Sequence, residues 1–263
     1  MELHLTGKHI LITGGSKGIG LACAEAFLAE GARVSLVSRS AANLANACAQ
    51  LTAFDSSRIQ TFAADLTQAD AALAALKAAK AGFGDVDVLV NSAGAAKRTP
   101  APELTPQAWH DAMQAKYFSY IHMIDPVIQQ MAQRGRGSIV NVVGNGGKVA
   151  SPIHLPGGAA NAALMLATAG LANAYAAKGI RVNAINPGLT RTGRLEEGMA
   201  ADARLQGIET EEAMQRAVAK IPMGRMAEPE EIARVVLFLA SEAASYVTGV
   251  NMSMDGSMTP LIV

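Results

Sequence analysis

The residues with the clearest chemical signature form a glycine-rich turn near the amino terminus. Gly14, Gly18 and Gly20 lie between a short apolar run at 10–12 and an apolar helical pattern at 21–28. This order predicts a buried strand, a tight turn and a helix. Glycines let a backbone approach a pyrophosphate closely, and the helix N-terminus adds N–H groups and the positive end of its dipole. We therefore expect a dinucleotide here. The turn residues predicted to bind it are Gly14, Ser16, Lys17, Gly18, Ile19 and Gly20.

Two other interpretations fit the same turn. Glycine-rich turns often serve only as turns, and 14–18 also matches the Gly-x-Ser-x-Gly elbow that presents a nucleophilic serine in some hydrolases. Only thirteen residues precede Gly14. A hydrolase of that kind needs earlier strands to build its sheet and to donate a second N–H group to the oxyanion, so the dinucleotide interpretation is favoured.

The end of the predicted second strand indicates which dinucleotide binds. NAD-specific sites carry an acidic residue there, whereas this strand ends in Val37, Ser38 and Arg39. Arg39 offers a bidentate fork for a 2′-phosphate, Ser38 a hydroxyl, and Lys17 a second cation. The alternative is that Lys17 and Arg39 are ordinary surface charges. We predict NADP(H) as the cofactor.

Apolar strand patterns alternate with helical patterns along the rest of the chain. Further strands are predicted at 33–37, 59–64, 86–90, 137–143, 180–185 and 246–254, and helices at 41–51, 69–81, 105–133, 159–178 and 229–240. Thr105 and Pro106 suit the N-cap and first turn of the long third of these helices. Segment 189–221 is polar and irregular, with one or two short helices, which is typical of a mobile substrate lid. The alternation predicts an α/β fold with a doubly wound parallel sheet.

Composition limits the classes of function. The chain has 263 residues, 50% of them hydrophobic, which suffices for a single domain over 1–263. Lysine plus arginine and aspartate plus glutamate balance at 22 each, without a long charge run, so neither nucleic acid nor an anionic membrane is expected as a partner. A small-molecule substrate is expected instead.

The same survey predicts no metal and a cytoplasmic location. The five histidines show no ligand-like spacing, and Cys23 and Cys48 lie in alanine-rich helical patterns typical of reduced cysteines. No basic region followed by an apolar segment begins the chain. The uncharged stretch 159–177 contains Asn161 and Thr168, which favours a packed helix over a membrane span.

Several further motifs occur in order along the chain. They are Thr13–Gly20, Asp65-Leu66, Asn91-Ser-Ala-Gly94, Trp109, Gly137–Asn141, Pro187-Gly188 with Thr192, and Met254-Asp-Gly256. Together they resemble the classical short-chain dehydrogenase/reductase family over essentially the whole chain. The resemblance implies a Rossmann-type sheet of about seven strands with helices on both faces, a nicotinamide cofactor and oxidoreductase activity. It also implies a homotetramer or homodimer built on the helices at 105–133 and 159–178.

The resemblance extends the predicted cofactor site beyond the glycine turn. The additional positions are Asp65, Leu66, Asn91, Ala93, Gly94, Pro187, Gly188, Thr190 and Thr192.

The family pattern breaks at its catalytic residues. The family carries a Tyr-x-x-x-Lys pair, a serine on the preceding loop and an asparagine on the long helix. By motif spacing these positions fall on Gly157 and Asn161, on Gly144, and on Lys116. No Tyr-x-x-x-Lys occurs anywhere in the chain. The usual proton chemistry of the family is therefore not expected.

The replacements have a pattern of their own. Lys116 stands where an amide is expected and Asn161 where an ammonium is expected, so one of each remains. Gly144 and Gly157 enlarge the pocket, and 156–158 is expected to open a helix with unpaired N–H groups that suit a carboxylate or a polarised carbonyl oxygen. The predicted catalytic residues are Lys116, Asn161 and His154. The alternative is that these residues changed after catalysis was lost.

Three functions are consistent with these residues. The first is an NADP(H)-dependent oxidoreductase in which Lys116, helped by His154, replaces tyrosine as proton donor or electrophile. Its substrate would be a small carbonyl or hydroxyl compound, with anionic compounds included. The second is an inactive cofactor-binding sensor or a partner subunit of an active relative. The third is a non-redox lyase or isomerase.

Overall fold

A seven-stranded parallel sheet forms the centre of the computed structural model, which describes residues 2–94 and 97–261 apart from the side chains of Arg194, Glu196, Glu197, Ala201 and Leu205. The strands are β1 (His9–Thr13), β2 (Arg33–Ser38), β3 (Ile59–Ala63), β4 (Val88–Asn91), β5 (Gly137–Val142), β6 (Ile180–Pro187) and β7 (Asn251–Met254). Their order is β3-β2-β1-β4-β5-β6-β7. The direction of winding changes between β1 and β4, which is the switch point where ligands bind in such sheets.

Nine α-helices accompany the sheet within the described part of the chain. They are α1 (Gly18–Ala29), α2 (Ala41–Gln50), α3 (Ala69–Phe83), α4 (Pro106–Ala112), α5 (Ser119–Arg134), α6 (Leu155–Tyr175), α7 (Gly193–Gln206), α8 (Thr210–Val218) and α9 (Pro229–Ala240). Ile10 and Ile12 pack on the side of α1 and α9, whereas Leu11 packs on the side of α3, α5 and α6. Because both faces of β1 are covered, its three central residues, 10–12, are all apolar. The predicted doubly wound sheet is confirmed.

The long helix predicted at 105–133 is interrupted. A π-helical segment, Met113–Phe118, separates α4 from α5. The predicted N-cap is confirmed, since the Thr105 hydroxyl accepts a hydrogen bond from the Ala108 N–H. Pro126 lies inside α5 without ending it. The interruption places a wider helical turn at Lys116, one of the predicted site residues.

Two boundary predictions were wrong. Helix α6 begins at Leu155, four residues before the predicted start at 159, because Pro156 fits a first helical turn and the following glycines pack there. The last strand covers only Asn251–Met254, since Gly249 has a positive φ of 79° and the chain before it turns. The other strands and helices agree with their predicted bounds to within about three residues.

The segment predicted as a lid contains two helices, α7 and α8. Leu195, Met199, Ile221 and Met226 form an apolar cluster of their own beneath it. The two short helices are confirmed, whereas the mobility of the segment stays a prediction.

One helical stretch, Leu155–Lys178, is long and apolar enough to cross a membrane by length and composition alone. Half of it is buried in the fold. Leu164, Met165 and Ala172 pack against the sheet, and Thr168 accepts a hydrogen bond from Asn141 on β5. These contacts are those of a core helix.

Candidate functional site

The glycine-rich turn connects β1 to α1 with little room for side chains. Gly14 and Gly18 have positive φ values of 68° and 52°. A Cβ atom at Gly14 would lie 2.8 Å from the backbone of Ala93, and one at Gly20 would clash with the Gly14 carbonyl oxygen. No side chain caps the N-terminus of α1, which Lys17 precedes. The turn therefore presents bare backbone and helix N–H groups, as a pyrophosphate requires.

A cluster of hydroxyls and cations lies at the end of β2. The Ser16 hydroxyl donates to the Ser38 hydroxyl at 2.9 Å. Lys17 and Arg39 are exposed, and neither has a carboxylate within 4 Å among the described side chains. This uncompensated positive charge suits a phosphate group beside the ribose.

The ends of β3 and β4 carry side chains that already have partners. Asp65 Oδ1 accepts from the Thr67 N–H and hydroxyl, and Leu66 is buried. The Asn91 carboxamide accepts from the Thr13 hydroxyl at 3.2 Å and donates to Asn141 Oδ1 at 3.1 Å. Because this side chain is occupied inside the sheet, the backbone of 92–94 is the part that can reach a cofactor. Contact of Asp65, Leu66, Asn91, Ala93 and Gly94 with the cofactor stays a prediction.

The segment after β6 returns to the glycine turn. Thr192 lies over this turn, since a Cβ atom at Gly18 would be 3.1 Å from the Thr192 methyl carbon. Thr190 is buried, and its backbone bridges to Ala227. Gly188 packs against Asp255, where a Cβ atom would lie 2.8 Å from the Asp255 Cβ. The structure thus brings the predicted segments at 14–20, 91–94 and 187–192 together at the carboxyl edge of the sheet.

Lys116 lies in the π-helical segment and is only 7% exposed. Its Nζ donates to the Tyr120 hydroxyl at 2.8 Å and to the Val142 carbonyl at 3.0 Å. The Tyr120 hydroxyl donates to the same carbonyl at 2.6 Å. Pairing between β4 and β5 ends at Asn141, so the next carbonyl, that of Val142, is open to these side chains. The ammonium is therefore held at the carboxyl end of β5.

Gly94 connects the predicted cofactor loop to Lys116. Its φ is 91°, and a Cβ atom there would clash with the Ala115 carbonyl and lie 3.2 Å from the Lys116 Cα. Only glycine permits this approach. The loop after β4 and the turn that carries Lys116 therefore pack directly against each other.

The loop between β5 and α6 brings Asn161 and His154 together. A Cβ atom at Gly146 would lie 3.5 Å from Asn161 Nδ2 and 3.4 Å from His154 Cδ2. A Cβ atom at Gly144 would also lie close to Asn161, 3.3 Å from its Nδ2, and Gly144 has a φ of 125°. Asn161 is buried, and His154 is half-buried. Since Val142 precedes Gly144 by two residues, all three predicted catalytic side chains lie around the end of β5.

The N-terminus of α6 differs from the prediction in one respect. The Gly158 N–H, expected to be unpaired, donates to the His154 carbonyl at 2.8 Å because the helix begins earlier than expected. Gly157 is buried in the first turn, and no side chain caps the helix. The N–H groups that remain for a ligand are those of residues 155 and 157, since Pro156 has none.

Sequence reasoning missed two residues at this edge of the sheet. Tyr120 is fully buried and contacts Lys116, and the four-residue spacing between them could have indicated the pair. Asn145 holds the C-terminal segment, since its Nδ2 donates to Asp255 Oδ2 at 2.6 Å and to the Thr259 hydroxyl at 2.8 Å. That contact joins residues distant in sequence, and no local signal predicts it.

One cavity, of about 490 Å³, lies at the opposite end of the sheet. Its lining includes Lys8, Arg136, Arg181 and Tyr246, and none of the predicted site residues. No group of three histidine, cysteine, aspartate or glutamate side chains that could hold a metal ion occurs in 2–94 or 97–261. The prediction that no metal is bound stays a prediction.

Comparison with known proteins gives consistent results. The family model described as enoyl-(acyl carrier protein) reductase matches residues 14–259. The chain is 35% identical to D-threitol dehydrogenase of Mycolicibacterium smegmatis, over 98% of this chain and 95% of that protein. This relative and others that match are dehydrogenases and reductases of small molecules.

Two solved structures share the fold over nearly their whole length. L-sorbose reductase of Gluconobacter frateurii, complexed with NADPH and L-sorbose, is 30% identical, with a TM-score of 0.91 and 100% of both chains covered. An NADPH-bound short chain oxidoreductase of Pseudomonas aeruginosa PAO1, described as containing an atypical catalytic center, is 31% identical, with a TM-score of 0.88 and coverage of 98% of this chain and 99% of that one.

Proposed function

The chain belongs to the short-chain dehydrogenase/reductase family of oxidoreductases, and we propose that it is an NADP(H)-dependent oxidoreductase that acts on a small carbonyl or hydroxyl compound. The main support for this proposal is the contact at Gly94, where the predicted cofactor loop packs against the turn that holds Lys116. By motif spacing, the family's four catalytic positions fall on Lys116, Gly144, Gly157 and Asn161. The proposal therefore includes a non-standard active site.

NADP(H) is supported by the chain's own residues. The positions of Gly14 and Gly20 leave no room for a Cβ atom, which suits a backbone cradle for the pyrophosphate. Lys17, Arg39 and the Ser16–Ser38 hydroxyl pair would hold the 2′-phosphate. Two structural neighbours contain NADPH. When bound, the nicotinamide supplies or accepts the hydride.

Lys116 is the proposed proton donor. Its ammonium is fixed by Tyr120 and Val142 at the end of β5. A fixed ammonium can stabilise negative charge on the substrate carbonyl oxygen and give that oxygen the proton that a reduction requires. The Asn161 amide, which lies on α6, and the half-buried His154, which immediately precedes that helix, would orient the substrate oxygen. Because Gly144 and Gly157 stand where the family's serine and tyrosine are expected, they leave space for the substrate.

The same contacts favour a second candidate, a cofactor-binding protein without turnover. Lys116 donates to two internal groups, and a lysine that only stabilises the fold would do the same. A sensor of the NADP redox state or a partner subunit of an active relative would keep the cofactor segments and lose the catalytic set.

Assembly and location remain part of the proposal. The α4–α5 region and α6 expose apolar side chains, among them Phe118 at 39% and Leu166 at 77%. Exposed apolar surface of this kind suits contact with a second copy of the chain. We propose a homotetramer or homodimer formed through these helices, located in the cytoplasm, with a small-molecule substrate and neither nucleic acid nor membrane as a partner.

The test begins with cofactor binding and continues with turnover. NADPH and NADH are titrated against the purified protein by fluorescence, and NADPH oxidation is then followed with a panel of aldehydes, ketones and oxo acids. Tight NADPH binding with turnover supports the oxidoreductase. Simple ketones should react more slowly than they do with relatives that keep the tyrosine, because that general acid contributes on the order of 10² to 10⁴ in rate and the Lys116 ammonium replaces it only in part. Tight binding without any turnover favours the second candidate, and failure to bind NADPH contradicts both.

A further inference from the structure

The cavity of about 490 Å³ lies at the amino-terminal end of the sheet, opposite the candidate active site. Residues at the starts of four neighbouring strands, β1, β4, β5 and β6, line it. The N-terminal segment lines it with Leu3 and Leu5, and the end of α9 and the segment that leads to β7 complete the wall. Small-molecule sites occupy about 300–1,000 Å³. The cavity is therefore large enough for a ligand of its own.

Two cations, Lys8 and Arg136, precede β1 and β5 and line this cavity together. In the sheet, Ile10 pairs with Val88 and Val88 with Ser138, so these three residues form one row across β1, β4 and β5. Lys8 and Arg136 each lie two residues earlier in the chain and continue the same register. They are two strands apart, which is about 10 Å. Both side chains are long enough to reach one ligand between them.

The charges of Lys8 and Arg136 have no partner in the part of the chain that the structure describes. Neither side chain forms an ion pair within 4 Å or a hydrogen bond there. Two carboxylates also line the cavity. Asp87 already pairs with Arg134, and Glu242 is exposed and lies more than 4 Å from either cation. Two positive charges therefore face the cavity without a close anion.

Helix α7 and the C-terminal segment lie at the other end of the sheet. Helix α7, whose side chains are described in part, begins one residue after Thr192, which lies over the glycine turn. The Thr259 hydroxyl accepts a hydrogen bond from Asn145, just after β5. Strand β5 has six residues, so it separates the two ends of the sheet by about 20 Å. The start of α7 and Thr259 are therefore remote from Lys8 and Arg136.

Arg181 compensates the negative end of the helix that forms one wall of the cavity. The C-terminus of α9 lies here, and a helix C-terminus disfavours anions. The Arg181 guanidinium donates to three carbonyls at this end, those of Leu239, Ala240 and Ser241, at 2.6, 3.1 and 2.9 Å. Because these carbonyls already accept from a cation, the helix end opposes an anion in the cavity less than a bare C-terminus would.

From these contacts we infer that this cavity is a binding site for a small phosphate monoester, separate from the candidate active site. A phosphate monoester carries a charge of about −1.5 to −2 at pH 7, which matches two cations better than a single carboxylate does. Its terminal oxygens can accept from the Arg136 guanidinium bidentately and from the Lys8 ammonium at the same time. Leu3, Leu5 and Ile180 line the same cavity and offer apolar contact for the organic part.

The test uses phenyl phosphate, with phenol and inorganic phosphate as comparison probes. Each is titrated calorimetrically into the protein in excess NADPH, which occupies the phosphate positions of the proposed cofactor site. Phenyl phosphate should bind, because it has both the dianion and an apolar ring. Phenol should not bind, and inorganic phosphate should bind at least about tenfold more weakly than phenyl phosphate.

Two variants test the cations. Lys8→Met and Arg136→Met should each weaken phenyl phosphate binding by about 10-fold to 100-fold, since each removes one charge-assisted contact. Lys178→Met is the matched control. This lysine is exposed and next to the cavity residue Gly179, but its ammonium lies over the Tyr175 ring. Its loss should leave the affinity unchanged. Thermal unfolding shows whether each variant keeps its fold.

Hydrogen exchange locates the ligand without any variant. In the parent protein, phenyl phosphate should slow amide exchange in the cavity segments 3–8 and 240–248 and leave the glycine turn at 14–20 unaffected. The inference is overturned if phenyl phosphate does not bind, if protection falls on the glycine turn instead, or if phenol or inorganic phosphate binds as tightly. It is also overturned if either cation variant binds like the parent, or if Lys178→Met weakens binding as much as they do.

Discussion

The Lys116 ammonium lies 2.8 Å from the Tyr120 hydroxyl, and both groups donate to the same acceptor, the Val142 carbonyl. Nζ is also 4.5 Å from the centre of the tyrosine ring. The family places a tyrosine four residues before a lysine on the helix after β5, whereas this chain places a lysine four residues before a tyrosine on the preceding helix. Tyr120 is fully buried, so it can position Lys116 but cannot itself touch a substrate.

Arg39→Ala should change the choice of cofactor. Loss of one charge-assisted interaction of roughly 1.5–3 kcal/mol should weaken NADPH binding by about one to two orders of magnitude and leave NADH nearly unchanged. Fluorescence titration of both cofactors measures this. Arg136→Ala removes an exposed arginine at the other end of the sheet and serves as the control. Equal affinity of the parent protein for the two cofactors would contradict the assignment of NADP(H).

Restoring a side chain at Gly144 should destabilise the protein. Gly144 has a φ of 125°, which side chains rarely adopt, and its Cβ atom would lie 3.3 Å from Asn161 Nδ2. Gly144→Ala and Gly144→Ser should each lower the free energy of unfolding by about 1–3 kcal/mol. Gly146→Ala is the matched control, since φ there is not positive and the nearest atoms lie at 3.4 Å or more. Urea unfolding of the three variants would contradict this account if Gly146→Ala were the most damaging.

Much of the fold follows from local signals. The apolar run at 10–12, the Thr105-Pro106 pair and the bounds of α9 could be read from the sequence because adjacent residues determine them. The start of α6 could be predicted only in part: Pro156 suits a first helical turn, but Gly157 and Gly158 add no apolar side chain, so the apolar helical pattern begins only at 159. A glycine is needed at 158 because this turn of the helix packs against the loop before it. A Cβ atom at Gly158 would lie 2.7 Å from the Gly146 carbonyl oxygen, which is a contact between segments.

Less of the candidate site than of the fold could be predicted from the sequence. Motif spacing predicts that Lys116 departs from the family pattern, but the carbonyl that the lysine contacts belongs to a strand residue 26 positions away. The π-helical segment also escapes detection, because one wider turn hardly alters an apolar periodicity. The contact of Arg98 with Gly198 depends on the packing of residues 97–100 against α7, which no spacing rule describes.

Stability should fall as the solution becomes acidic, in part through His9. Burial lowers the pKa of His9 from its usual 6.5, and its ring is satisfied as the neutral form between the Gly84 carbonyl at 2.9 Å and the Ser35 hydroxyl at 2.6 Å. Asp87 raises this pKa and Arg33 lowers it, by smaller amounts. Because the unfolded chain takes up the proton more readily, stability is complete above about pH 6.5 and is lost below it, by at most about 1.4 kcal/mol per pH unit.

Urea unfolding at pH 7.5 and 5.5 checks this effect of His9. His9→Gln removes the titrating group, so the difference in unfolding free energy between the two pH values should be smaller in the variant than in the parent. Parallel losses in the two proteins would show that other groups cause the acid sensitivity.

Lys116→Met decides between a rebuilt catalytic site and an inactive one, because methionine keeps the apolar stem and removes the ammonium. If Lys116 donates the proton, turnover should fall by about 10² to 10⁴ while NADPH affinity stays the same. Tyr120→Phe removes only the hydroxyl that positions Nζ, so kcat should fall less and KM should change little. Tyr175→Phe is its control, since that hydroxyl accepts an exposed hydrogen bond from Gln129, away from Lys116. Steady-state kinetics and NADPH titrations of the three variants measure these effects.

A Lys116→Met protein that oxidises NADPH at the parent rate would exclude Lys116 as the donor. If instead no substrate is turned over by the parent, and Lys116→Met alters only the free energy of unfolding, the lysine is structural and the protein is a cofactor-binding partner.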